Sequence, residues 1–138
     1  SSDTNSSSQP HICYAFAPSQ FNAIGSYKGN GNADGTFVPT TNSLGIPITP
    51  SWIMLKRTDT ANAWAITDTG RTPTNPTSLI LQGDLPNAEL DNNDIDVLHG
   101  GFKIRSTDNL HNNASGNYIY LAFGTPIIDT DGRIITAR

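Results

Sequence analysis

The sequence has one cysteine and one glutamate among its 138 residues, and both scarcities exclude classes of protein. Cys13 alone cannot form a disulfide within the chain, and its strand-like surroundings favour a buried thiol that acts as a small hydrophobic group. A single glutamate leaves aspartates in turn-forming contexts to supply the two carboxylates of a glycoside hydrolase. Neither a serine-elbow motif nor a paired-histidine metal motif is present. We therefore predict no enzyme activity and no catalytic, cofactor-binding or metal site.

Charge is also sparse, and long apolar runs are missing. Charged residues make up 14% of the chain, and the formal net charge is −4. Binding to nucleic acid needs clustered lysine and arginine, whereas the basic residues of this chain are scattered. A membrane-spanning helix needs roughly 18 consecutive apolar residues, and no run approaches that length. The sequence therefore predicts neither nucleic-acid binding nor membrane insertion.

Short apolar runs separated by turn residues dominate what remains. No window of about 11 residues repeats with the 3.6-residue period of a helix, so we predict little or no helix. Many short strands at regular spacing are typical of an all-β, antiparallel β-sandwich of the jelly-roll type. We expect a flexible Ser-rich tail over residues 1–9 and a single sandwich domain over residues 10–138. The aromatic residues that fall in strand-like runs are predicted to be core: Phe37, Trp52, Trp64, Phe102, Tyr120 and Phe123.

Two segments near the ends of the chain are similar. Ile12, Ala15 and Phe16 match Ile119, Ala122 and Phe123 at one constant offset. Both segments have the composition of buried strands, and a proline follows each of them. Internal sequence similarity of this kind is typical of a boundary between stacked copies of one module. Residues 10–18 are therefore interpreted as the terminal strand of a preceding repeat. Chance similarity of two core strands is the alternative.

Two acidic stretches raise the question of a bound cation. Residues 129–132 begin like a calcium loop, and residues 91–96 are rich in aspartate and asparagine. Neither stretch has the distal glutamate that a 12-residue calcium loop requires. We expect solvated turn residues and no cofactor, with a structural calcium held by several loops as the alternative.

A second candidate site combines aromatic rings with amide side chains. Exposed tyrosine faces beside asparagine donors are suited to binding sugars. Two groups of this type occur, one after residue 26 and one before residue 119. Either group could form the predicted surface-binding patch, and the residues concerned are Tyr27, Asn30 and Asn32 in the first and Asn112, Asn113 and Tyr118 in the second.

Several sequence blocks follow one another in a fixed order: GSYKGNGNADGTFV (25–38), PSWIMLKRTD (50–59), AWAITD (63–68), RTPTNP (71–76), GFKIRST (101–107), NASGNYIYLAF (113–123) and the terminal AR. Together these blocks resemble a β-rich module of tailed-bacteriophage virion proteins, especially tail-fibre-like structural proteins. The resemblance covers about residues 21–138. It departs from the family at residues 40–49, where the connection is longer and a special contact is expected.

The resemblance implies a non-enzymatic virion structural protein that is tail-fibre-like or exposed on the particle surface. It implies a virion or extracellular location and a role in particle assembly and host-surface attachment. The expected partners are further copies of the chain, with a trimer favoured, other virion proteins and a host surface glycan. Two alternatives remain at this point: a carbohydrate-binding module, and an extracellular filament subunit that assembles by donating the strand at residues 11–18.

Overall fold

The computed structural model describes residues 7–134, and these residues contain eight β-strands and no helix. The predicted all-β, antiparallel class is therefore confirmed. The strands are β1 (Asn22–Lys28), β2 (Phe37–Pro39), β3 (Ile48–Arg57), β4 (Trp64–Asp68), β5 (Thr77–Gln82), β6 (Leu90–Leu98), β7 (Gly101–Ile104) and β8 (Asn117–Pro126).

The eight strands form one continuous sheet in the order β1-β8-β3-β4-β5-β6-β7-β2, and every neighbouring pair is antiparallel. The sheet curls until its two ends approach each other. The Tyr120 hydroxyl on β8 donates a hydrogen bond to the Pro39 carbonyl on β2, at 2.8 Å. The Phe102 ring on β7 meets the Tyr120 ring edge to face, with centroids 5.5 Å apart. The layers expected of a sandwich are thus parts of a single, nearly closed sheet.

The core fills the inside of this curled sheet. Side chains alternate between the two faces of a strand, so every second residue points inward. On β3 the inward residues are Ile53 and Leu55, and on β8 they include Tyr120 and Ala122. The buried core residues contributed by the other strands are Ala23, Val38, Ala65, Ile80, Ile95, Phe102 and Ile104. The core assignment of Phe102 and Tyr120 is confirmed.

β6 and β7 form a hairpin around Gly100. β6 and β7 pair directly, and Gly100 between them has a φ of 76°, which glycine adopts without the steric cost that a Cβ brings. The connection between β2 and β3, residues 40–47, contacts this hairpin, because the Thr40 N–H donates to the Gly100 carbonyl at 2.9 Å. This hydrogen bond ties the β2–β3 connection to the β6–β7 turn.

Residues 11–17, here called the arm, contradict the prediction of a buried strand. The arm forms no strand, and all of its residues are exposed, including Cys13, whose thiol was predicted to be buried. The arm pairs with no strand, although β1 is an edge strand that uses only one of its sides to pair with β8. The one hydrogen bond that joins the arm to the sheet is donated by the Asn22 side chain to the Ala17 carbonyl. Of the predicted Ser-rich tail, residues 1–6 lie outside the described residues.

Candidate functional site

The six residues of the predicted surface patch do meet, at the end of the sheet where β1 runs into the loop at residues 29–36. Pairing of β1 with β8 sets Tyr27 opposite Tyr118, and the two rings stack with centroids 4.9 Å apart. The Tyr27 hydroxyl donates to the His111 carbonyl at 2.7 Å. The Tyr118 hydroxyl donates to the Asn109 carbonyl and accepts from the Asn113 N–H, both at 2.8 Å. Burial raises the pKa of both phenols above their ordinary value.

Asn112 is the centre of this arrangement. Its side-chain oxygen accepts from the Asn30 N–H at 2.9 Å. Its amide nitrogen lies within hydrogen-bond distance of Asn30 Oδ1, the Asn32 carbonyl and the Ser106 carbonyl, at 3.0, 2.8 and 2.8 Å. We call Asn30, Asn32 and Asn112 the asparagine clamp, because they join the loop after β1 to the loop before β8.

Burial corrects part of the predicted patch. Tyr118 and Asn112 are buried, so neither offers a surface to a ligand, while Asn30 and Asn32 remain exposed. The physical reason is that polar groups inside a protein are normally hydrogen-bonded, and here the neighbouring loops supply the partners. The sequence did not show that the two groups meet, and what they do in this structure is fix two loops.

A buried histidine lies beside the clamp. Both ring nitrogens of His111 and the Oδ2 atom of Asp94 are buried without a hydrogen bond. The His111 Nδ1 and Asp94 Oδ2 atoms are 3.8 Å apart, which is too far for a hydrogen bond. Burial lowers the pKa of His111 by disfavouring the charged imidazolium, and the nearby Asp94 carboxylate opposes this effect only in part.

A pH dependence of stability follows. Because the pKa of His111 is lower in the folded chain than the ordinary value near 6.5, the unfolded chain binds the proton more tightly. The free energy of unfolding should therefore fall as pH drops below about 6.5, by up to about 1.4 kcal/mol per pH unit. Urea titrations between pH 7.5 and 5 (roughly the range where a histidine titrates) measure this slope. His111→Gln should flatten it, whereas His99→Gln, at an exposed position, should not; equal slopes in all three proteins would contradict the assignment.

Within residues 7–134, no three or more histidine, cysteine, aspartate or glutamate side chains are grouped so that they could hold a metal ion. Asp129 instead accepts hydrogen bonds from the N–H groups of Asp131 and Arg133, which closes a turn. The stretch at residues 91–96 lies within β6, so the expectation that it forms a turn is wrong. A structural calcium held by several loops stays the alternative to the prediction of no cofactor. The described part of the chain also contains no helix that could span a membrane.

The outer face of the sheet carries a feature that the sequence analysis missed. Strand registers align one apolar side chain from each of five neighbouring strands: Ile24, Leu121, Met54, Ile66 and Leu81. We call these five residues the outer row. With strands about 4.8 Å apart, the outer row is about 19 Å long. The outward face of an antiparallel sheet is usually polar where it meets water, so an apolar row on that face calls for a covering partner.

A cavity of about 620 Å³ lies over the outer row. Four of the five row residues line it, together with Trp64 and two residues of the same chain's arm, Tyr14 and Phe16. Asp84 is the one charged residue in this lining. The cavity can thus accept apolar or aromatic side chains and offers very little polar chemistry.

Three of the predicted core aromatics belong to this outer face. Trp52, Trp64 and Phe123 are half-buried there, and the rings of Trp52 and Phe123 lie 5.6 Å apart. Phe37, on the edge strand β2, is exposed. The core assignment of these four residues is therefore corrected: β3, β4 and β8 are apolar on both faces, and alternation alone does not show which face is inside.

The comparisons with known proteins give one match. A family model described as a domain of unknown function, DUF7483, matches residues 1–126, which include the arm and end with β8. No curated protein and no solved structure matches the chain. Because the family model spans nearly the whole length, the chain belongs to the DUF7483 family.

Proposed function

We propose that the chain is a non-enzymatic structural subunit of a bacteriophage virion, tail-fibre-like or exposed on the particle surface, that works by associating with its own copies and with other virion proteins. The observation that carries this proposal is the outer row, because an apolar stripe across five strands is suited to contact with another protein surface. The ordered resemblance to phage structural modules supports the assignment to a virion and a trimeric state.

The physical construction of the chain is consistent with such a role. Polar turns, sparse charge and a closed core give a rigid unit whose loops are fixed by internal hydrogen bonds such as those of the asparagine clamp. Attachment to a host glycan belongs to the same proposal. The exposed residues Asn30 and Asn32 are the part of the predicted patch still available for it.

Sedimentation velocity over micromolar to hundreds-of-micromolar concentrations tests self-association through the outer row. Ile24→Glu places a charge at the exposed end of the row, where Ile24 is 62% accessible. Ser26→Glu places the same charge on the same strand and the same face, two residues away. Losing the burial of one isoleucine should weaken association by about tenfold to a hundredfold for Ile24→Glu. Ser26→Glu should associate like the parent chain.

Two outcomes would count against the proposal. If the parent chain stays monomeric at every concentration, the proposed self-association through the outer row has no basis. Equal weakening by both glutamate substitutions would show that charge on β1, and not the outer row, controls association.

A further inference from the structure

We propose that the arm of one copy seats on the outer row of a second copy. This inference rests on the proposed function, since it presupposes self-association, and it names the two surfaces that meet. The arm supplies Ile12, Tyr14 and Phe16, and the second copy supplies the cavity over its outer row.

The arm has apolar groups that its own body leaves uncovered. Ile12 is 82% exposed and Tyr14 is 80% exposed. Phe16 is held closer, with its ring centroid 5.7 Å from the Phe123 ring centroid. Hydrogen bonds hold the arm at its base, where Asn22 donates to the Ala17 carbonyl and accepts from the Ser19 N–H. Tyr14 and Phe16 line the cavity over the outer row of their own chain, but Ile12 and Tyr14 stay mostly exposed, so the arm covers its own row only in part.

The arm and the outer row are complementary in length and chemistry. Alternate residues of an extended segment point the same way, so an arm that becomes extended on docking presents Ile12, Tyr14 and Phe16 as an apolar edge about 13 Å long. Crossing from β1 to β4 along the outer row covers three strand spacings, or about 14 Å. The cavity over that part of the row is lined mainly by apolar side chains. The arm and the outer row are therefore equal in length, and each is only partly covered within one molecule. A second copy carries both surfaces, so its arm can cover the outer row of the first.

The sequence echo supports the choice of partner. Ile12 and Phe16 correspond to Ile119 and Phe123, and the position of Tyr14 corresponds to Leu121, which is itself in the outer row. The arm therefore repeats the outward pattern of β8, the strand whose side chains already pack at the centre of this face. Because the outward side chains of β8 already pack in this apolar face, a segment with the same side-chain pattern suits the same surroundings.

The buried area is adequate for a specific contact. Large apolar side chains bury about 150–250 Å² each, so two exchanged arms, with the groove surface they cover, bury on the order of 1,500 Å². Stable interfaces are of that size. Reciprocal exchange between two copies puts both arms into one interface of that size, whereas a head-to-tail ring has one arm and about half that area at each interface.

Matched charge substitutions in the full chain test the inference. Tyr14→Glu puts a charge on the apolar edge, and Ala15→Glu puts the same charge on the opposite side of the arm. Both positions are exposed, so both variants should keep the melting temperature of the parent chain. Tyr14→Glu should weaken association by at least about tenfold in sedimentation velocity, and Ala15→Glu should leave it unchanged.

Cross-linking identifies the partner. The parent chain carries its single cysteine on the arm, and a Cys13→Ser/Leu81→Cys variant carries its single cysteine at the far end of the outer row. A short bis-maleimide added to a mixture, with one protein tagged, should give a mixed dimer in excess of either like pair. Since each protein has one thiol, an arm that folds onto its own row cannot give this product.

The outcomes separate this inference from the proposed function. The arm exchange would be overturned if the parent chain associates, Tyr14→Glu associates equally tightly and no mixed dimer forms. The proposed function would still stand in that case. A parent chain that never associates would overturn both.

Discussion

Replacing Gly124 with alanine should destabilise the fold by about 3 kcal/mol, the largest effect we expect from adding one methyl group. Gly124 lies in β8 opposite Pro50 of β3, next to the point where the register shifts between Pro50 and Trp52. A Cβ at this position would overlap the Thr49 carbonyl oxygen and lie 2.7 Å from the Pro50 Cα. Both obstacles are backbone atoms, so relief requires separating two central strands.

Urea denaturation measures this loss as a lower midpoint at an unchanged slope, and calorimetry should show a melting temperature lower by roughly 10 °C. Gly45→Ala is the matched control. Gly45 has a φ of 79° and no atom within 4 Å of an added Cβ, so only backbone strain of about 1 kcal/mol is expected. If Gly124→Ala lowered the free energy of unfolding no more than Gly45→Ala does, β3 and β8 could not approach as closely at this point as described.

The strands themselves could be read from the sequence because their local signals are strong. Phe102 and Ile104 alternate with Lys103 and Arg105, and the preceding Gly100 marks a turn, so β7 and its hairpin follow from the pattern alone. The continuous sheet could not be predicted in the same way. Which strands become neighbours depends on contacts between distant residues, such as the pairing of β1 with β8.

The arm shows why hydrophobicity is an incomplete guide to burial. Its residues have the composition of a core strand, yet a strand also needs a neighbour for its backbone hydrogen bonds. β8 occupies one side of β1, and the similar segment at residues 11–17 does not pair with the other side, so it lies outside its own sheet. A sequence cannot state whether the partner of an apolar segment is in the same chain or in another one.

The outer row was hidden for a related reason. Met54 and Ile53 are adjacent and both apolar, but one points outward and the other into the core. Period-two reasoning distinguishes faces only when one of them is polar. The registers that align Met54 with Leu121 and Ile66 come from strand pairing, so the row exists only in the folded sheet.

The asparagine clamp gives the second large effect. Asn112 is fully buried, and its side chain is bonded to Asn30, Asn32 and Ser106. Asn112→Ala removes all of these bonds at once and leaves backbone groups of two loops without partners. An unsatisfied buried polar group costs about 1–3 kcal/mol. We therefore expect a loss of about 2–3 kcal/mol, since water can reach the exposed side of the Asn30 loop.

Urea unfolding and amide hydrogen exchange together distinguish this loss from a general loosening. The Asn30 N–H should exchange faster in Asn112→Ala, while amides of β3 and β4 should change only by the global loss of stability, because no clamp bond reaches them. Asn117→Ala, at an exposed position on β8, should stay within about 0.5 kcal/mol of the parent chain. An Asn112→Ala protein as stable as Asn117→Ala would mean that the two loops are held by their backbone bonds alone, such as the one from the Gly31 N–H to the Asn112 carbonyl.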